Sequence, residues 1–549
     1  MPDPTETRPR RRGSVPIVVL AATLLFGALG TVWSVVAPLG EAPDETAHLA
    51  LVLYLADGHG YPDYDGLQNQ AAILELCKTY ASATRACPRK GEPITSTSTR
   101  RHPRDQAPDK ASRPAWDDDG GSASLGQLNQ MPQHPPLYYQ MMATVLRAER
   151  AIRGAPASTD RELALLRLAN VVLITPLPLL AWWAARRFRS SDTVAVTAAV
   201  LVLAVPMLTH IGSTLNNDNL LTLLAAVAAA LLTGVVRGDR SLRTAVAVGV
   251  VTALALLTKA FGMVLVPAIV LAYVLGATEG ENEGVPWRSR IRPLVAPLAA
   301  AGGAVVVLAG WWYIGVRLRT GRFAPTIETR RLTSAMAPPG FAPDVSTFAG
   351  EFVRNVNNRF WGSFGWYTVR FPTWLATICT VAVVATVVAA LVPRRDGSGS
   401  NRLQRASLLV PIVLLGGLVL VRAWNLYSIT SRFPFLQGRY LFAGLVGLLV
   451  LAAIGLGRFA GRWAPAAAGA FAVLLQAEAL RRCLSGWWGG PGLGPRGQAR
   501  ALVAWSAWPG ELLAVLAIVA VGLGAWFLVA LARFVLQADR DRPVGSMPT

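Results

Sequence analysis

Of the 549 residues, 53% are hydrophobic and only 15% charged, with a mean hydropathy of +0.40, more apolar than a soluble domain requires. The apolar residues fall into runs of roughly 18 to 25, enough at about 1.5 Å per residue to cross ~30 Å of hydrocarbon, which excludes an ordinary water-soluble fold. The formal charge of +20 is carried mostly by arginines clustered between those runs, the pattern of a membrane-topology signal and not of a nucleic-acid-binding face.

In chain order, residues 1–15 are a polar tail with Arg8, Arg10, Arg11 and Arg12 ahead of the first run, 16–38. That run is too long for a signal-peptide core and reads as an uncleaved signal anchor with a cytoplasmic N-terminus. Further runs at 163–185, 193–212, 219–236, 242–258, 260–276, 293–316, 372–393, 406–423, 440–457, 463–480 and 510–533 predict an all-α integral membrane protein of about twelve transmembrane helices. Residues 458–533 form the C-terminal helices, and 534–549 a short cytoplasmic tail.

Residues 135–152 are amphipathic and could either span or lie in the interface. The arginines arbitrate. If 135–152 lies flat, the clusters at Arg186/Arg187/Arg189, Arg237/Arg240/Arg243, Arg288/Arg290/Arg292, Arg394/Arg395 and Arg458/Arg462 all face the cytoplasm. If it spans, all of them move outside, so the positive-inside rule predicts a flat juxtamembrane helix. The large loops 39–162, 317–371, 424–439 and 481–509 then fall on the extracytoplasmic side. Cys77 and Cys87 could pair there or remain two thiols.

The chemically capable residues gather on that same side. A-P-D-E-T-A-H puts Asp44 and Glu45 within a helical turn of His48. Adjacent carboxylates suit a general base for an acceptor hydroxyl, or a ligand for a divalent ion such as Mg or Mn; equally, Asp44 could be only a helix cap. His134 opens H-P-P-L-Y-Y at the end of the first loop. L-N-N-D-N-L places Asn217 and Asp218 in a tight polar turn, ordinary turn residues set apart by their side of the membrane. Lys259 is a lone lysine between two apolar runs, able to snorkel or to hold a phosphate as a point charge. N-R-F-W-G-S-F-G-W-Y carries Trp361 and Trp366, a sugar-stacking wall or an aromatic belt. F-L-Q-G-R-Y-L-F delivers Arg439 and Tyr440; the guanidinium can hold a phosphate bidentately, or pair with Asp44, Glu45 or Asp218.

These motifs, in this order, resemble an uncharacterised family of bacterial membrane proteins over about residues 16–457. That family is in turn similar to the GT-C superfamily of polyprenyl-phosphate-dependent glycosyltransferases, which includes protein mannosyltransferases and aminoarabinose transferases. The resemblance implies a GT-C-like fold with juxtamembrane helices in the first outer loop and a catalytic carboxylate at Asp44 or Glu45. Where aminoarabinose transferases carry a Lys before Pro-Pro-Leu, this chain has His134, which moves the expected phosphate contacts to Lys259 and Arg439.

The expectation is a plasma-membrane enzyme moving a sugar from a polyprenyl-phosphate donor to an envelope glycan, lipid or protein acceptor, with membrane lipids as surroundings and no nucleic-acid partner. A transporter or flippase for a lipid-linked precursor is the alternative, and a scaffold of an envelope complex a third; a transporter would place ionisable groups near the bilayer midplane.

Overall fold

The computed structural model describes residues 14–70, 107–113, 115, 124–277, 287–327, 336–392, 400–490 and 492–540; Cys77 and Cys87 lie outside them. Helix α1 (Ile17–Val36) starts directly after Pro16 and packs against the last helix of the chain. Two short helices follow in the first loop, α2 (Glu45–Ala56) and α3 (Leu137–Arg153), packed on each other. Helix α3 is the amphipathic segment. Its Tyr138, Tyr139, Met142, Ala143 and Leu146 are buried, the i, i+4 face expected of a helix lying on the protein, and Gly154 ends it in the left-handed region (φ 82°). Its first turn contacts His48, and its last turn pairs through Arg150 with Asp57 and Glu162. Both ends of α3 therefore lie against α2 and the start of α4.

Helices α4 (Thr159–Ile174) and α5 (Leu177–Arg187) form one crossing of 29 residues. Its first turn carries acids that hydropathy counts as loop. They are buried because they are paired, Asp160 with Arg113 at 2.7 Å and Glu162 with Arg150 at 2.7 Å. Helix α6 (Asp192–Leu201) runs on through a 3-10 turn to Ala204, and α7 (Pro206–Gly212) departs from it at 67°. Pro206 removes a helical N–H and forces Val205 out of the α region (φ −116°, ψ 86°), so the run 193–212 is a broken crossing.

Helix α8 (Asp218–Val236) is the central column, with 78% of its apolar window buried against 17% for Thr373–Leu391 and 6% for Gly510–Gln537. It packs on α4, α5, α9 (Leu242–Thr258) and α10 (Leu265–Ala277). Helix α11 (Trp287–Thr320) lies against α9 with much of its surface exposed, as a lipid-facing helix should. The loop 317–371 contains α12 (Val345–Trp361) and a two-stranded ribbon in which β1 (Ser363–Phe364) pairs antiparallel with β2 (Val369–Arg370). The fold is completed by α13 (Thr373–Leu391), α14 (Arg402–Ser407), α15 (Val410–Thr430), α16 (Leu445–Ala460), α17 (Ala464–Trp488), α18 (Pro495–Trp505) and α19 (Gly510–Arg540).

Among the described residues, eight helical stretches are long and apolar enough to cross a membrane, nine if the bent pair counts as one. One of these, Gly438–Trp488, has 51 residues and would measure ~76 Å if straight, more than twice the hydrocarbon thickness. It is a hairpin. Arg439 reaches Asp44 and the Trp488 indole N–H donates to the Val36 carbonyl, so both ends lie beside the end of α1; Gly461 (φ 54°) breaks the middle, next to Arg458, which donates to the Val392 carbonyl past the far end of α13. All twelve apolar runs of the sequence coincide with helix, the two of 242–258 and 260–276 being shorter than a full crossing.

Candidate functional site

Asp44 and Glu45, adjacent in sequence, have opposite fates. Glu45, in the first turn of α2, is fully buried, and its two oxygens accept four hydrogen bonds: from Arg167 Nε (2.7 Å) and the Leu215 N–H (3.2 Å) on Oε1, and from Arg167 Nη2 (2.6 Å) and the Gly40 N–H (2.9 Å) on Oε2. Arg167 spends its remaining donors on the carbonyls of Ser34, Ala37 and Pro38 at 2.6–2.9 Å. Every donor of the guanidinium and every lone-pair position of the carboxylate is used. The expectation that Glu45 serves as base or metal ligand is thereby corrected: a carboxylate with no open lone pair has nothing left for a proton or a cation. It ties α1, α2, α4 and the turn before α8 together.

Asp44 is built differently. It adopts the left-handed conformation (φ 65°, ψ 2°) at the N-cap position, and its side chain makes no capping bond. A non-glycine residue there carries about 1–3 kcal/mol of backbone strain, and strain of this kind collects at functional sites. The conformation turns the carboxylate away from its own helix, to accept from Gln130 Nε2 (3.0 Å) on Oδ1 and Arg439 Nη2 (2.7 Å) on Oδ2. Its side chain retains 21% exposure, so lone pairs remain open. The helix-cap reading of Asp44 is set aside.

Arg439 sits in the 3-10 turn Gly438–Gly444 ahead of α16 and is buried. Lys259, extended at the end of α9 (φ −159°, ψ 139°), points its ammonium at Asp218 Oδ1 (2.5 Å) and over the ring of Tyr440 (4.9 Å). Asp218 Oδ2 lies 3.4 Å from Arg439 Nε, within ion-pair range but without a hydrogen bond. Two carboxylates and two cations thus alternate in one chain, Asp44, Arg439, Asp218, Lys259.

The groups around this chain are left unpaired to a degree unusual for a protein interior. Arg439 Nε and Nη1, Asp218 Oδ2, Asn216 Nδ2 and both amide atoms of Asn217 are buried with no hydrogen-bond partner. Neighbouring Asn219 shows what satisfaction looks like here, donating to Asn170 Oδ1 (2.9 Å) and to the carbonyls of Thr214 (2.9 Å) and Ile211 (3.1 Å). Orphaned polar atoms concentrated at one place mark a site made for a ligand.

The other expected residues are placed unevenly. His48 Nδ1 shares a hydrogen bond with the Tyr139 hydroxyl (3.0 Å) and its ring stacks on that of Tyr139, so it faces α3. His134 lies within electrostatic reach of Lys259 and Arg422, and its carbonyl accepts from the Tyr61 hydroxyl (2.7 Å). Trp366 stands at the rim, half-buried with its indole N–H unpartnered; the next residue, Tyr367, donates to Gln437, two positions before Arg439. Trp361 is not brought in, since its N–H donates to Thr380 (2.7 Å) and its ring packs on Phe360 and Phe471. Arg167 was missed by sequence reasoning; the signal was an arginine inside the apolar run 163–185. No group of three or more His, Cys, Asp or Glu side chains able to hold a metal occurs among the described residues, and of the acidic pair only Asp44 has lone pairs to offer a cation.

Burial, then Lys259 and Arg422, hold the His134 imidazole well below its ordinary pKa of 6.5. As pH falls through that ordinary value the unfolded chain takes up a proton that the folded chain refuses, so stability is lost on acidification. His134→Gln is expected to flatten part of the decline in thermal midpoint between pH 7 and pH 5; an unchanged slope would refute this.

Among solved structures, the chain is similar to ArnT from Cupriavidus metallidurans bound to undecaprenyl phosphate, with 14% identity, 95% of this chain and 77% of that one covered, and a TM-score of 0.42. It is similar to the oligosaccharyltransferase of Archaeoglobus fulgidus in the apo form, with 11% identity, 90% and 56% covered, and a TM-score of 0.41. It is also similar to the arabinosyltransferase EmbB from Mycobacterium smegmatis, with 14% identity, 98% and 43% covered, and a TM-score of 0.41. No curated protein matches the sequence. Residues 24–448 match the family described as predicted membrane protein DUF2142, and the chain belongs to that family.

Proposed function

We propose that the protein transfers a sugar from a polyprenyl-phosphate donor to a hydroxyl acceptor of the cell envelope, at the extracytoplasmic face of the plasma membrane. The arginine-rich ends of the helices and both termini then face the cytoplasm, as the positive-inside rule requires. The observation that carries the reading is the buried pair Lys259 and Arg439, with unpaired N–H groups on the arginine, beside a carboxylate that keeps open lone pairs.

An apolar groove, lined by Ala225, Ala229, Leu265, Ala268, Ala443 and Gly447 among others, suits a lipid ester better than a free phosphate. Ala225 and Ala229 lie seven and eleven residues after Asp218 on α8, on the same helical stripe. The cation site and the groove thus share one helix face, with polar groups at its head and small apolar residues below. A second cleft, lined by Tyr64, Gln133, Trp312, Tyr313 and Phe323 among others, offers aromatic faces to an acceptor.

In this reading Asp44 accepts the proton of the acceptor hydroxyl as its oxygen attacks the anomeric carbon. The bond from that carbon to the phosphate oxygen breaks with inversion, and the carrier leaves as a phosphate monoester whose charge grows from −1 toward −2. Lys259 and Arg439 meet that growing charge in place, without reorganisation.

The test is transfer of labelled sugar from a panel of polyprenyl-phosphate donors by purified protein in lipid. Lys259→Gln and Arg439→Gln should each lower turnover by about 10²–10³, the usual effect of removing one preorganised donor. Specific donor binding by wild type without turnover would leave a carrier or flippase as the better reading, and no binding at all would refute the phosphate site.

A further inference from the structure

We infer that Asp218 is a built-in stand-in for the donor's phosphoryl group: its carboxylate holds the cations Lys259 and Arg439, with the unpartnered Asn217 amide next to it in the chain, and an arriving phosphate ester displaces it. The inference rests on the phosphate-ester reading above and adds to it which anion holds the cations when no donor is bound.

Three observations carry it. The first is the quality of the pairing. A buried ion pair is tolerable only when its geometry is good and its remaining lone pairs and protons are satisfied. Glu45 with Arg167 meets that standard on every atom. Asp218 does not: Oδ1 meets Lys259 at 2.5 Å, but Oδ2 has no hydrogen bond and stands 3.4 Å from Arg439 Nε, itself unbonded. One molecule thus contains a saturated buried ion pair and an unsaturated one, and the unsaturated one is where the cations sit.

The second is Asn217. Its side chain is fully buried, yet neither its carbonyl oxygen nor its amide nitrogen has a partner. With Arg439 Nη1, also unbonded, it is an N–H donor that the Asp218 carboxylate leaves unused, available to the tetrahedrally spread oxygens of a phosphate.

The third is charge. Asp44 and Asp218 match the formal charge of Lys259 and Arg439, two against two. A phosphodiester of charge −1 that replaces the Asp218 carboxylate at the cations leaves their count unchanged. A monoester product approaching −2 exceeds it, and Asp218 competes to return. On this account Asp218 weakens the hold on the spent carrier and speeds its departure.

Binding of farnesyl monophosphate, a short prenyl phosphate, to purified protein in lipid nanodiscs tests this without turnover. Asp218→Asn removes the competitor but keeps the side-chain size, and should tighten binding by about tenfold, because ligand no longer competes with an occupied resting state. Asn217→Ala removes an amide that bonds to no other group of the protein, and should weaken binding several-fold while leaving the thermal midpoint unchanged. Inorganic phosphate should bind more weakly than the prenyl ester in every variant; equal affinity would detach the seat from the apolar groove. Unchanged or weaker binding by a folded Asp218→Asn would overturn the stand-in, and unchanged binding by Asn217→Ala would overturn the seat even if Asp218→Asn failed to fold. Lys259→Gln separates this inference from the broader reading. Wild-type binding that ignores Lys259 sinks the phosphate site itself, whereas Lys259-dependent binding that Asp218→Asn fails to tighten sinks only the inference.

Discussion

Glu45→Ala is expected to cost about 3–5 kcal/mol and to remove most of the monodisperse protein from detergent extracts, the largest stability loss of any single substitution considered. The reason is the state it leaves behind. Arg167 stays fully buried with its Nε and one Nη2 proton unpaired, and the N–H groups of Gly40 and Leu215 lose their acceptor. Arg167→Met should do nearly as much damage from the other side, by stranding the carboxylate and the carbonyls of Ser34, Ala37 and Pro38. The two losses should not add. Joint replacement by apolar residues of similar volume removes the stranded charge, so size-exclusion profile and thermal midpoint should recover part of the way, giving a coupling of at least ~1 kcal/mol. A stable, monodisperse Glu45→Ala protein would show that α1, α2, α4 and the turn before α8 are held by something other than this pair.

The same pair shows where the sequence was legible and where it was not. Hydropathy located a helix at each of its apolar runs, because ~20 apolar residues in lipid leave few alternatives to a helix. It misplaced the start of α4 by treating Asp160 and Glu162 as loop, although each is buried against an arginine from elsewhere in the chain, Arg113 or Arg150. A window average cannot see a partner 12 or 47 positions away. Pro206 announced the break in the crossing 193–212, but not its angle of 67°. The flat placement expected for α3 rests on arginines elsewhere in the chain, not on its own amphipathic pattern.

Within the site, the members were legible as a group and their roles were not. Asp44, Asp218, Lys259 and Arg439 were placed together by topology alone, and they meet. Which of two adjacent carboxylates is free depends on a backbone angle at Asp44 and on an arginine in a helix more than a hundred residues later. Neither leaves a mark on the motif A-P-D-E-T-A-H. Arg167 itself was in plain view, an arginine inside an apolar run, and an ionisable residue there is either functional or paired. Here it is paired, which also removes its weight from the transporter reading: a saturated guanidinium has no donor left to pass a substrate along.

That division of roles sets the second large effect. Asp44→Asn is expected to lower sugar transfer by about 10²–10⁴, the usual contribution of a positioned general base, while the thermal midpoint stays near that of wild type. Asparagine is the right probe because it tolerates the left-handed conformation that Asp44 adopts (φ 65°). Its amide oxygen can still accept from Arg439, and Gln130 can turn its own amide to meet the new N–H group, so geometry is kept while proton affinity is lost. A double alanine variant at Asp44 and Glu45 would be the wrong experiment, since loss of the Glu45 contacts unfolds the site and any inactive protein would satisfy it. Farnesyl monophosphate affinity measured alongside turnover separates the remaining possibilities. Lost turnover with retained affinity assigns Asp44 to the proton, whereas parallel loss of both makes it the residue that aims Arg439. Retained turnover would move the base elsewhere and leave Asp44 as the residue that aims Arg439.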